Sequence, residues 1–328
     1  SEGDFHDKSQ LQWILIIYLL GFIALGILIN DYAIKLVRKY RPWVGAAFLI
    51  SAVFGIRYLT VYFKLTNNFS ELQTFSETFS TPVLNSSSSL GDLLINILLL
   101  LWMMVFFHRE FQVQRFYNIS KPIRLTLTGF NYFSILLGVF MITGVFKSLV
   151  LDSDIAFDFD NVLNLNFHSI LAILGIILLI IALFLFSHRM MLTIVKIGLG
   201  KYQRMAAFAG AMVLAAPIIG LSDLNIPVLH FALFAIVYVG AFDIFIDHKS
   251  PNLTWLIIWL AIFSAFSSIV LFKYNNDRDL NIREGYAYEL ANLRDSLAEE
   301  SFRSLRPKID QDEDFKILTS SKEQISKR

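Results

Sequence analysis

The chain has no cysteine, which excludes disulfides, thiolate metal sites and a cysteine nucleophile. Charge is scarce too. Asp, Glu, Lys and Arg make up 17% of the residues, against roughly 25% in a soluble domain, so a water-soluble globular fold is excluded early. The net charge is +1, and no basic patch is interleaved with aromatic residues as nucleic-acid binders require. No nucleic-acid partner is expected. Catalytic signatures are missing as well: there is no GxSxG and no Walker-type phosphate loop. The GLGK at 198–201 follows an apolar run rather than a buried strand, and reads as a glycine turn ending the fifth span. HExxH, HxxxH and paired-Asp motifs are absent, so no metal or cofactor is expected in this chain.

What the sequence has is apolar length. Of its 328 residues 55% are hydrophobic and 31 are Phe, and the mean hydropathy is +0.58. Eight segments are long and apolar enough to cross a hydrocarbon core of about 30 Å: 11–29, 43–63, 90–107, 125–150, 169–187, 205–222, 227–246 and 253–272. The expected fold is an all-α integral membrane protein. An eight-helix transmembrane bundle over 11–272 would follow an extracytoplasmic remnant at 1–10. Residues 273–328 would then begin an extracytoplasmic sensor domain, cut short. Trp13, Trp43, Trp102 and Trp255 lie near or inside proposed span ends, as an aromatic belt does, with Trp102 the poor fit.

Orientation follows from Lys and Arg in the short loops. One set of loops carries Lys35, Arg38, Lys39 and Arg41, then Arg109, Arg115, Lys121 and Arg124, then Arg189, Lys196, Lys201 and Arg204, and finally Lys249. The alternate set carries mainly acids, among them Glu71, Glu77, Asp92, Asp152, Asp154, Asp158, Asp160 and Asp223. The basic loops are expected in the cytoplasm of a bacterium, with the chain in the inner membrane and both of its ends outside. Of the exterior loops, 66–92 reads as irregular surface closing on Asp92 as a helix cap. The acidic-aromatic stretch 151–169 reads as a re-entrant or interfacial segment.

Ionisable groups at membrane depth cost about 2.5–3.5 kcal/mol or more and persist mainly when paired or solvated. Arg57, Asp92, Asn96, Lys147, His168, Asp223 and His230 share the outer level by this topology. Together they are candidates for an outward-facing ligand site, in which Arg57 and Lys147 meet an anionic group or pair with Asp92 and Asp223. The blander alternative is that Lys147 snorkels to the interface and Arg57–Asp92 is a structural pair. On the cytoplasmic side, Asp243 and Asp247 with His248 would need a third group for a metal or proton relay, and His108 and His188 read as lone interfacial histidines. Asn131 and Asn161 are candidates for hydrogen bonds between helices. The middle and inner halves of most spans read as almost free of polar groups.

The last span hands over to a different pattern. After Lys273 the stretch YAYELANLRDSLAEESFRSLRPKI (286–309) spaces Ala287, Leu290, Leu293, Leu297, Phe302, Leu305 and Ile309 as one face of a water-soluble amphipathic helix. Pro307 is expected to break it, and a short strand to begin at Phe315. A start at Ser1 without Met and an abrupt polar end suggest a piece of a longer protein.

Three stretches carry a resemblance. SSSSLGDLLINILLLLW (86–102), SDIAFDFDNVLNLNFHSILAILGIILL (153–179) and REGYAYELANLRDSLAEESFRSL (283–305) resemble the membrane portion of large sensor histidine kinases of some Gram-negative bacteria. The resemblance covers most of the chain up to Ile309. It implies a multi-span module followed by an extracytoplasmic sensor domain, another membrane helix and a cytoplasmic kinase core, with Leu290, Arg294, Asp295, Leu297 and Glu299 in the signal-relaying helix. No His box or ATP boxes follow here, so ATP and Mg are expected only for the missing core. The implied partners are the lipid bilayer, a second copy in a homodimer, and a response regulator reached through the missing part. The first functional expectation is therefore the signal-input portion of a two-component sensor. The second is a transporter or channel with polar groups at the outer mouth. A third, a lipid-modifying enzyme using His168, Asp154 or Asp158, lacks a recognisable catalytic spacing.

Overall fold

The computed structural model describes residues 2–66, 69, 89–111, 120–151, 153, 166–222, 228–247, 253–292 and 296–311. Among them the regular elements are all helices: α1 (Glu2–Lys39), α2 (Pro42–Tyr62), α3 (Leu90–Glu110), α4 (Lys121–Leu151), α5 (Phe167–Ile197), α6 (Lys201–Gly220), α7 (Val228–Asp247), α8 (Leu253–Asn292) and α9 (Ser296–Gln311). The first eight are long and apolar enough to span a bilayer. The chain is an all-α, multi-pass membrane helix bundle.

Each helix starts and stops for local reasons. Pro42 opens α2 at a position where its missing N–H goes unused. Ser89 caps α3 by accepting a hydrogen bond from the Asp92 backbone N–H at 3.2 Å. α5 ends where Gly198 adopts φ +76°, the left-handed turn that glycine alone takes without strain. The glycine turn expected at 198–201 is therefore present.

Packing divides the membrane helices into two buried clusters. The larger draws on α3 to α8, with Phe146, Tyr238, Phe242 and Tyr274 fully buried. The smaller joins α1, α2 and α3 around Ala33, Leu49, Val53 and Phe106. Lipid offers apolar groups as good a home as protein does, so close approach through small residues sets these contacts. Ala207, Ala211 and Ala215 line the buried face of α6, which packs against α4. At Gly45 an added Cβ would meet the Val37 side chain and stand 2.7 Å from the Ala33 carbonyl.

Several expectations need correcting. Arg189, Lys196, Lys201 and Arg204 belong to α5 and α6 rather than to a loop. A span reading stops at the first charge, whereas the helix continues into it. Asp92 is not the cap of α3: Ser89 is, and Asp92 sits three residues on, the spacing of a capping box. Asn131 Nδ2 donates to the Leu127 carbonyl of its own helix at 2.7 Å, not across to a neighbour, while Asn161 lies outside the described residues. Trp13 and Trp43 are exposed. Trp102 instead donates to Asn30 Oδ1 of α1 at 3.4 Å, and Trp255 is buried against Phe245. Most of 66–92, most of 151–169 and the strand expected at Phe315 lie outside the described residues.

The chain divides into two compact units, Ser1–Asn276 and Asp277–Arg328. In the second, Leu290, Phe302 and Leu305 are exposed. Pro307 lies inside α9 rather than ending it. The Arg303 carbonyl that Pro307 leaves without its helical bond is on an exposed residue, a position where a missing helical partner costs little.

Candidate functional site

The C-terminal end of α2 and the N-terminal turn of α3 hold a buried ion pair. Arg57 Nη1 lies 3.0 Å from Asp92 Oδ1, and the two side chains are 12% and 7% exposed. Thr66 Oγ1 donates to Asp92 Oδ2 at 3.4 Å, and Arg57 Nη1 lies 3.4 Å from Thr60 Oγ1. Asp92 gains a further advantage from its place in the first turn of α3, where the helix N-terminus favours a negative charge. Asn96 follows one turn along the same helix, half-buried.

The other expected site residues are placed as follows. Lys147 is half-buried near the end of α4, His168 half-buried in the first turn of α5, and His230 exposed in the first turn of α7. Asp223 lies outside the described residues. Of the seven, Arg57 and Asp92 are in direct contact. Of the relay residues, Leu290 is exposed in α8, Leu297 and Glu299 fall within α9, and Arg294 and Asp295 lie outside the described residues.

The opposite end of the bundle is more polar than the sequence suggested. Arg204 Nη1, in the first turn of α6, meets Asp243 Oδ1 of α7 at 2.7 Å, with side chains 14% and 26% exposed. Asp243 is thus half of an ion pair rather than the seed of a metal site with Asp247, and His248 lies outside the described residues. His108 of α3 and His188 of α5 are not lone: His108 Nε2 lies 2.9 Å from His188 Nδ1. Aromatic rings flank His188 of this pair. Phe184 stacks on His188, and Phe242 and Phe245 flank it. Nearby, the Ser187 and Tyr238 hydroxyls are buried beside each other, and the Trp259 indole N–H is buried without a hydrogen-bond partner among the described residues. Buried polar groups of this kind are ordinarily satisfied by protein or ordered water. The arginine-rich half of the bundle is therefore not the apolar plug that span-by-span reading implies. Sequence spacing held no clue to the histidine pair, whose members are 80 residues apart. The one usable signal was that both fall toward the same end of their helices.

Among the described residues, no group of three or more His, Cys, Asp or Glu is placed to hold a metal ion. Comparison with protein-family models, curated protein sequences and solved structures finds no match to this chain.

Proposed function

We propose that this chain is the membrane-embedded signal-input portion of a two-component sensor histidine kinase. It passes an envelope or ligand signal toward a cytoplasmic kinase core that the chain does not contain. The observation that carries the reading is α8. The stretch 253–272 is uncharged, and the same helix runs on to Asn292 through Lys273, Asp277, Arg278, Asp279 and Arg283, residues that belong in water. A membrane crossing that hands over to a charged helix suits the transfer of a small change in helix position out of the lipid. The sequence resemblance points the same way. In this reading the membrane is a bacterial inner membrane, both ends of the chain face outward, the working unit is a homodimer, and the eventual partner is a response regulator. Arg57 and Asp92 form the fixed part of an outward-facing input site.

The test is sidedness. A tag fused after Arg328 is expected to be digested by protease added to intact spheroplasts, and a protected tag overturns the reading. The parent gene is likewise expected to continue through a further membrane span into kinase motifs.

The polar groups of the arginine-rich half favour a second reading, a transporter or channel, because buried ionisable and hydroxyl groups line pathways in such proteins. Flux in proteoliposomes that is lost in Arg57→Ala and Asp243→Asn supports it; ion-tight vesicles exclude it.

A further inference from the structure

α3 is fastened by a polar contact at each end. Near its start Asp92 meets Arg57 of α2, and near its finish His108 meets His188 of α5. We propose that His108 and His188 form a proton-binding site, and that filling it releases the arginine-rich end of α3 from α5.

The geometry sets the stoichiometry. A 2.9 Å N···N contact requires a proton on one nitrogen and a lone pair on the other. The neutral pair satisfies this with one N–H···N bond. A first added proton goes to the outward-facing nitrogen of the donor ring and leaves the shared bond in place, now with an imidazolium as the donor. A second puts N–H against N–H between two cations, and no lone pair is left to bridge them. The surrounding Phe184, Phe242 and Phe245, with ring centroids 6.0, 6.4 and 5.9 Å from His188, can favour one cation through their faces. They offer no counter-charge for two.

Among the described residues, the other charged or titratable groups do not relieve that conflict. On α5, Arg189 adds a positive charge felt by both imidazoles. On α3, Arg109 is paired with Glu110. On α6 and α7, Arg204 and Asp243 neutralise each other, and Tyr238 carries a neutral phenol. The first half of α4 carries Lys121, Arg124 and Tyr132, none of them an acid, and α8 brings Trp259 and Phe263 against Phe184, which do not titrate. Among the described residues, that leaves separation of the two helices as the way to accept the second proton.

The form of that separation is also fixed. Toward the other end of the same contact, an added Cβ at Gly175 of α5 would come within 3.2 Å of Leu94 and 3.3 Å of Ile97. The helices are close-packed there and the histidine end opens by tilting about that point. This inference stands apart from the kinase reading, since it concerns the helix pair alone.

The test uses the full chain in nanodiscs. Because the protein has no cysteine, Val105→Cys on α3 and Lys196→Cys on α5 place two nitroxide labels without background. Their separation is measured by pulsed electron resonance with a chelator present. Between about pH 8 and about pH 3, a range wide enough to include the second protonation of a partly buried imidazole pair, the labels are expected to move apart by on the order of 2 Å, as helices do at switching interfaces. His188→Phe, which fits the aromatic surround, is expected to abolish the change. Imidazole nitrogen spectra of the histidine-labelled, otherwise unmodified chain serve as a second readout. Two of its six histidines are expected to titrate in separate, coupled steps. A label distance that is the same at both pH values, a change that survives in His188→Phe, or histidines that all titrate in single independent steps would each overturn the proposal.

Discussion

Removing either partner of the Arg57–Asp92 pair is expected to cost far more than removing both. With side chains only 12% and 7% exposed, the pair has little solvent to fall back on. Loss of one partner from such a site costs about 3–5 kcal/mol, whereas replacing both with apolar groups of similar volume is often close to neutral. The two single variants should also differ. After Arg57→Met, Asp92 retains the Thr66 hydroxyl and the N-terminus of α3, the latter worth about 0.3–1 kcal/mol. After Asp92→Leu, Arg57 keeps Thr60 but loses the carboxylate it pairs with. Asp92→Leu is therefore expected to be the costlier change by roughly 1 kcal/mol, and the double variant Arg57→Met/Asp92→Leu to recover at least about 2 kcal/mol of the summed loss. Equilibrium unfolding of the four proteins in mixed micelles, followed by Trp fluorescence, measures all three differences. Additive losses would show that the two side chains do not depend on each other and would refute the reasoning.

Gly45→Ala is expected to push α1 from α2, since the new methyl group meets Val37 and the Ala33 carbonyl. Its cost should be about 1–3 kcal/mol, read in the same unfolding assay. Ser89→Ala removes the side-chain acceptor for the Asp92 N–H and should cost about 1 kcal/mol, with Ser89→Asp restoring it. Asp243→Asn leaves Arg204 partly buried without its counter-charge. A loss of about 2 kcal/mol is expected, below the fully buried figure because water reaches both groups, and thermal denaturation in detergent checks it.

Helix existence was legible in the sequence because a run of apolar residues such as 253–272 has few other fates. Helix ends were not. α5 runs through His188, Arg189 and Lys196 to Gly198, since backbone hydrogen bonding continues where hydropathy falls, and it is the glycine that stops it. Of the candidate site, Arg57 with Asp92 could be anticipated from shared depth, because isolated charges in lipid need partners. Shared depth says nothing about which faces of two helices meet, and on that point the reading of His108 and His188 failed. The same limit applied to Asn131, where the nearest acceptor was one turn back along its own helix.

α4 and α5 are each 31 residues long, about 46 Å at 1.5 Å per residue, while the hydrocarbon they cross is about 30 Å thick. Lean alone takes up only part of that excess, so some of each rod stands clear of the oil. His188 lies nine positions before the terminus of α5 at Ile197, about 14 Å of helix, within the stretch shared with Arg189 and Lys196. Hydronium approaching from the adjoining water layer therefore has a short route to the imidazoles through the headgroups. Swapping long-chain lipids for short-chain ones would alter how far that rod protrudes, and with it the ease of the journey.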